Sequence, residues 1–160
     1  MEDRNALSHY RNDGSAHMVD VSGKPPTTRT ATATGRLVTR PDVVQQIAEG
    51  SLPKGEALAT ARIAGILAAK QTSSLIPLCH PLPLSKIEVD LDPGEDHVLI
   101  TATVRTTAPT GVEMEALTAV SVAGLTLYDM IKAVDRAAVL SDVRVDRKQG
   151  GTTDWERDDA

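Results

Sequence analysis

Between Thr110 and Lys132 the chain reads TGVEMEALTAVSVAGLTLYDMIK, a run that sets four ionisable groups, Glu113, Glu115, Asp129 and Lys132, among side chains that are almost all apolar or very small. Its pattern predicts one long helix over residues 111–134. Charges are costly to remove from water unless they are paired or hydrogen bonded, so a buried helix that keeps four of them needs a reason. Chemistry is one such reason.

The flanking segments supply the layer on which such a helix can lie. Residues 1–26 lack periodicity and carry the turn signals Asp13-Gly14, Ser22-Gly23 and Pro25-Pro26, so they read as an irregular N-terminal arm. Thr27 to Val38, TTRTATATGRLV, is a strand by its alternation of β-branched residues and alanine. Pro41 opens a short helix over 41–49, closed by Gly50. GEALATARIAGILAAK, from about Gly55 to Lys70, is a second helix, with Leu58, Ala61, Ile63, Ile66 and Leu67 as its apolar face. In LIPLCHPLPL the prolines Pro77, Pro81 and Pro83 stop the helix and push Ile76, His80 and Leu82 towards extended backbone.

Residues 85–92 alternate, with Ile87, Val89 and Leu91 inward and Lys86, Glu88, Asp90 and Asp92 outward. Pro93-Gly94 marks a turn, and His97 to Arg105 alternates again, which makes a hairpin. A strand around 139–147 follows the long helix, and the polar tail 152–160 is expected to be disordered. Strand, helices, strand, strand, helix, strand is the split βαβ arrangement: a single α+β domain over 27–151, with helices on one face of an antiparallel sheet. That arrangement leaves one sheet face or edge to cover. With no Phe and many small residues in the helices, the chain is suited to close helix packing and to an oligomer.

A net charge of −5 argues against a general nucleic-acid or anionic-membrane surface while leaving room for a local basic pocket. The strands also lack the aromatic platform on which bases stack. Cys79 is the only cysteine, so an intrachain disulfide framework is excluded and a reduced, cytoplasmic setting is expected. No apolar leader and no uninterrupted run of roughly 18 apolar residues is present, so a soluble protein is expected.

Several candidates for chemistry have a structural explanation as well. Thr110 and Glu113 form a Thr-x-x-Glu capping box, which would account for Glu113 without a site; Glu115 has no such account. Asp129 and Lys132, spaced i, i+3, make either a salt bridge or a coupled acid and amine able to exchange protons near neutral pH. Glu115 and Asp129 are fourteen positions apart, or roughly 21 Å along a straight helix, so one small substrate cannot touch both within a chain. A two-fold dimer with this helix antiparallel to its mate would bring them together, and an intersubunit site is expected. His80, in Leu78-Cys79-His80, stands on a proline-stiffened loop where it could bind phosphate or move a proton. His9, His17 and His97 show no zinc-ligand spacing with Cys79, and no metal is expected. Lys54 before the second helix, Arg29 on its Thr/Ala strand and Lys148 before Gly150-Gly151 are candidate anion groups.

AHMVDVSGKP at 16–25, KGEALATARIAGILAAK at 54–70, LIPLCHPL at 75–82 and TGVEMEALTAVSVAGLTLYDMIKAVD at 110–135 together resemble the cyclic pyranopterin monophosphate synthase family of molybdenum cofactor biosynthesis. The likeness runs from Leu7 to about Gly151. It implies a ferredoxin-like α+β subunit in a homohexamer, a trimer of dimers with intersubunit active sites, and no metal or organic cofactor. The implied reaction converts a 3',8-cyclised dihydro-GTP, a triphosphate made by an upstream radical GTP cyclase, into cyclic pyranopterin monophosphate and pyrophosphate. By resemblance, Asp129 is the principal acid/base and Lys132 and Lys54 are catalytic amines. Leu78, Cys79, His80, Met114 and Glu115 would contact substrate, with Glu113, Arg29 and Lys148 at guanine-derived edges or the triphosphate. Arg11, Ser74 and Thr152 depart from the family pattern. The rival reading is a non-catalytic oligomeric module that binds a nucleotide, its charged residues serving as interface salt bridges.

Overall fold

The computed structural model describes residues 11–158. The first ten residues of the expected arm, including Leu7 and His9, and the last two of the tail lie outside the described residues. The elements run β1 (Thr27–Val38), α1 (Pro41–Glu49), α2 (Ala57–Lys70), α3 (Thr72–Leu75), β2 (Leu84–Pro93), β3 (His97–Ala108), α4 (Glu113–Ile131), β4 (Val139–Gln149) and β5 (Trp155–Glu156). The strands form one antiparallel sheet in the order β2-β3-β1-β4-β5. Its first four strands have the split βαβ topology expected from the element order.

Alternation decides which face is covered. On β1 the positions Ala31, Ala33 and Leu37 are buried beneath the helices, as are Val98, Ile100, Ala102 and Val104 on β3, whereas Thr30, Thr32 and Thr34 point to the other face. The largest fully buried side chains are Leu37, Ile47, Ile100, Leu127 and Ile131. Burying one such aliphatic side chain stabilises the fold by about 1.5–3 kcal/mol, so the absence of Phe costs the core little provided the packing is close.

Glycines make it close. A Cβ on Gly35 would lie 2.7 Å from Val120 Cγ1, and one on Gly65 would lie 3.0 Å from the Ala119 carbonyl and 3.3 Å from Ala123 Cβ. The middle of α4 therefore rests directly on the β1 backbone and on α2. By length and composition alone α4 would also cross a membrane; here it is the central helix, with Ala116, Ala119, Val120, Ala123 and Leu127 buried in the core.

Five expectations need correction. The α4 helix starts at Glu113, with Val112 as N-cap and no side-chain cap, so the Thr110 capping box does not form. The Glu113 carboxylate instead turns back over Gly111 and meets Lys148 Nζ at 3.4 Å. The same helix ends at Ile131, three residues short, because the buried Asp135 carboxylate takes the Ala137 N–H at 3.0 Å and the Thr39 hydroxyl at 2.6 Å and bends the chain towards β4. The α2 helix begins at Ala57, and its small residues Ala57, Ala61, Gly65, Ala68 and Ala69 face the core, leaving Ile63 and Leu67 exposed. A one-turn helix, α3, precedes the proline loop. The tail is not disordered at Trp155–Glu156, which pairs with Arg147 and Lys148 of β4.

Candidate active site

Both ends of α4 carry a cluster of functional groups. At its N-terminal end Thr110, Gly111, Glu113, Met114 and Glu115 face Leu78, Cys79 and His80 of the proline loop across a pocket. The arm closes it with Val19, Val21 and Lys24. The proline loop turns at Pro77-Leu78, where the Cys79 N–H donates to the Ile76 carbonyl at 3.1 Å, and Asp20 receives the Ser22 N–H at 2.9 Å, an Asx turn that folds the arm back.

His80 Nε2 lies 2.7 Å from the Val19 carbonyl oxygen. A carbonyl only accepts, so Nε2 carries the proton and Nδ1 is the nitrogen left to exchange one. Glu115 is 4% exposed, and burial pushes its carboxyl up to about 6, with the Glu113 charge adding to the shift. Burial also raises the Cys79 thiol, helped by the Glu115 charge. A carboxyl that titrates close to neutrality can accept hydrogen bonds when ionised and donate one when protonated, which suits a ligand whose polar edge gains and loses protons.

Lys24 lines the pocket, and two further cations lie near its Glu113–Thr110 side. Arg29, on the helix-facing side of β1, donates from Nε to the Ala108 carbonyl and from a terminal nitrogen to the Pro109 carbonyl, both at 3.2 Å. Lys148, on β4, reaches Glu113. The sequence candidates Arg29, Lys148, Glu113, Met114, Glu115, Leu78, Cys79 and His80 are thus gathered at one end of the helix.

Asp129, Lys132 and Lys54 are gathered at the other. Asp129 accepts from Lys132 Nζ at 3.0 Å and from Lys54 Nζ at 3.1 Å, one lysine on each carboxylate oxygen. Lys54 does not sit at a helix N-terminus as expected, because α2 starts three residues later; Gly55, at φ +96°, turns the chain so that the amine reaches α4. Nor is the acid buried. The Asp129 side chain is 56% exposed, and the hydrogen bonds and charges of Lys132 and Lys54 hold its carboxyl below the usual range. It is ionised at neutral pH, a base or anchor and not a reservoir of protons.

Lys24, Val19 and Val21 escaped the residue-by-residue reading. The arm has no periodicity, and a lysine in an aperiodic segment carries no signal of its own; the Asp20–Ser22 turn was the available clue to the fold-back. Among the described residues, nothing in one chain bridges the two ends of α4.

Fold and site together define a ferredoxin-like α+β protein with a pocket lined by Cys79, His80, Glu113 and Glu115 at one end of its central helix and a lysine–aspartate–lysine cluster at the other. A model of the MoaC family matches residues 18–151. The chain is 60% identical over 152 residues to cyclic pyranopterin monophosphate synthase of Streptomyces coelicolor, spanning 94% of this chain and 89% of the relative. It is 61% identical over 150 residues to the enzyme of that name from Corynebacterium glutamicum strain R, spanning 93% and 96%. With cyclic pyranopterin monophosphate synthase 2 of Mycobacterium tuberculosis strain H37Rv it shares 62% over 145 residues, 91% and 87% of the two chains. The chain belongs to the MoaC family.

Proposed function

We infer that the chain is a lyase carrying out the cyclic pyranopterin monophosphate synthase reaction of molybdenum cofactor biosynthesis. The observation that carries this reading is identity near 60% to synthases of that name over more than nine-tenths of the chain, pocket and lysine cluster included. The substrate is the 3',8-cyclised dihydroguanosine triphosphate and the products are cyclic pyranopterin monophosphate and pyrophosphate. A cytoplasmic setting accompanies it, next to the radical GTP cyclase that supplies the substrate.

The two clusters divide the work. Glu115, Glu113 and the Cys79–His80 loop hold the guanine-derived ring, where protons move as one ring opens and the pterin closes; Glu115, raised by burial, and His80 through its free Nδ1 face that ring. Arg29, Lys148 and the lysines beside Asp129 offset charge on the triphosphate when a sugar hydroxyl attacks the α-phosphate and pyrophosphate departs. Asp129, ionised and held by two amines, takes a proton from the reacting substrate and orients Lys132 and Lys54.

One substrate reaches both clusters only if they come from different chains. Glu115 and Asp129 are each seven positions from Val122, so a two-fold axis at Val122 that pairs α4 with its mate sets each acid beside the other chain's partner group. Leu125 on α4 and Ile63 and Leu67 on α2 are exposed apolar side chains on the helical layer, a surface suited to burial in such a contact. The assembly in this reading is a homohexamer built as a trimer of dimers.

Purified protein given the cyclised triphosphate is expected to release pyrophosphate and the cyclic phosphate product in equal amounts, read by chromatography and a coupled phosphate assay. Tight binding of the triphosphate with no product formed would overturn the assignment in favour of a nucleotide-binding module.

A further inference from the structure

We propose that the C-terminal hairpin, built from the end of β4, the Gly150-Gly151 turn and β5, is a clamp that positions Arg29 and Lys148 for a phosphate-bearing ligand, with Asp154 and Arg157 as its positioning residues. The inference rests on the reading of those two cations as substrate groups. The family model stops at Gly151, and β5 with both positioning residues lies beyond it.

The turn is shaped to touch Arg29. Gly150 and Gly151 have φ of +88° and +78°, conformations that side chains rarely adopt. A Cβ on Gly151 would run into the Arg29 guanidinium, and one on Gly150 into the Thr28 carbonyl, so the bare turn backbone lies directly on Arg29. With Nε on the Ala108 carbonyl, a terminal nitrogen on the Pro109 carbonyl and its flank against this turn, the guanidinium is held in one orientation at the segment that leads into the pocket-lining Thr110 and Gly111.

Asp154 and Arg157 hold the turn shut. Asp154 Oδ1 accepts the Gly150 N–H at 2.9 Å, which closes the loop. Past β5, the Arg157 backbone N–H donates to the Asp146 carbonyl at 2.7 Å. Its side chain donates twice to the Val145 carbonyl, at 3.1 and 3.0 Å, and stacks over Trp155 with 5.3 Å to the ring centroid. Trp155 in turn pairs with Lys148, the residue whose amine reaches Glu113. A strand end that frayed here would free both cations to roam. Holding them restricts rotamers before the ligand arrives, which favours binding without adding a contact to the reacting atoms.

Asp154→Ala, Arg157→Ala and a chain ending at Thr152 separate this role from plain stability. Each is expected to raise KM for the triphosphate, and to weaken binding of pyrophosphate measured by calorimetry, about tenfold, the scale of one loosened charge-assisted hydrogen bond, while kcat stays within about twofold of wild type. Asp154→Asn keeps an oxygen acceptor for Gly150 and is expected to restore KM. If KM and pyrophosphate affinity of the two alanine variants stay within about twofold of wild type, or if KM rises and affinity falls only together with a lower melting temperature and Asp154→Asn does not restore them relative to Asp154→Ala, the clamp is refuted. A wild-type protein that forms no product would refute the reaction instead, and the pyrophosphate titrations would still decide the clamp.

Discussion

Glu115 shows how one buried side chain ties stability to function. Its carboxyl ordinarily titrates at 4.5 and is raised to about 6 here, chiefly by burial. The folded chain therefore binds a proton more tightly than the unfolded one, so the contribution of this group to stability falls as pH rises from 4.5 to 6 and stays low above that window. The difference between 4.5 and about 6 corresponds to roughly 2 kcal/mol of penalty at neutral pH. Glu115→Gln cannot ionise and escapes it. In urea unfolding at fixed protein concentration, the stability of this variant relative to wild type is expected to grow by roughly 2 kcal/mol between pH 4.5 and pH 7, at the expense of turnover. A difference that is flat with pH would show that the carboxylate pays no desolvation penalty. Asp129 obeys the opposite rule: two amines favour its charged form, and solvent reaches it.

At the scale of the element, α4 is both the hydrophobic spine and the carrier of the two clusters, and its placement depends on small residues. Gly65→Val would drive a branched side chain into the Ala119 carbonyl and Ala123, which is expected to destabilise the chain by about 1–3 kcal/mol and to separate α2, with Lys54 before it, from Asp129. Calorimetry and turnover together test this: unchanged stability would mean that the crossing is looser than described. The existence of α4 and of the β2–β3 hairpin was legible from periodicity, because alternation and helical spacing are imposed by burial itself, and the split βαβ topology from the succession of elements. Helix ends were less so. Thr110 has the right spacing to Glu113 for a cap, yet the glutamate finds Lys148, a partner thirty-five positions away that no local pattern announces. Ile63 and Leu67 were read with Ala61 as one apolar face, whereas close packing puts Ala61 and Gly65 inside and leaves the two larger side chains exposed. Trp155 and Arg157, in a polar tail without periodicity, order by pairing with β4, again a long-range effect. Of the candidate site, every residue named from sequence falls into one of the two clusters. Lys24 and the Val19 carbonyl were missed because their role depends on a fold-back of the arm.

For the whole molecule, the separation of the clusters matters most. In the proposed assembly, a chain with Glu115 at one end of α4 and the Lys54–Asp129–Lys132 cluster at the other, and with exposed Leu125, Ile63 and Leu67 on the same layer, supplies half of each of two sites. Glu115→Gln and Asp129→Asn are each expected to lower turnover at least about a hundredfold as homogeneous proteins, the usual cost of losing a proton-transfer group. Co-assembling the two variants in equal amounts tests the arrangement directly, because in a shared site some pockets then receive an intact Glu115 from one chain and an intact Asp129 from the other. Recovery of about a quarter of wild-type turnover is the result predicted for random pairing across a two-fold contact, and a mixture no more active than its two inactive components would contradict a site shared between chains.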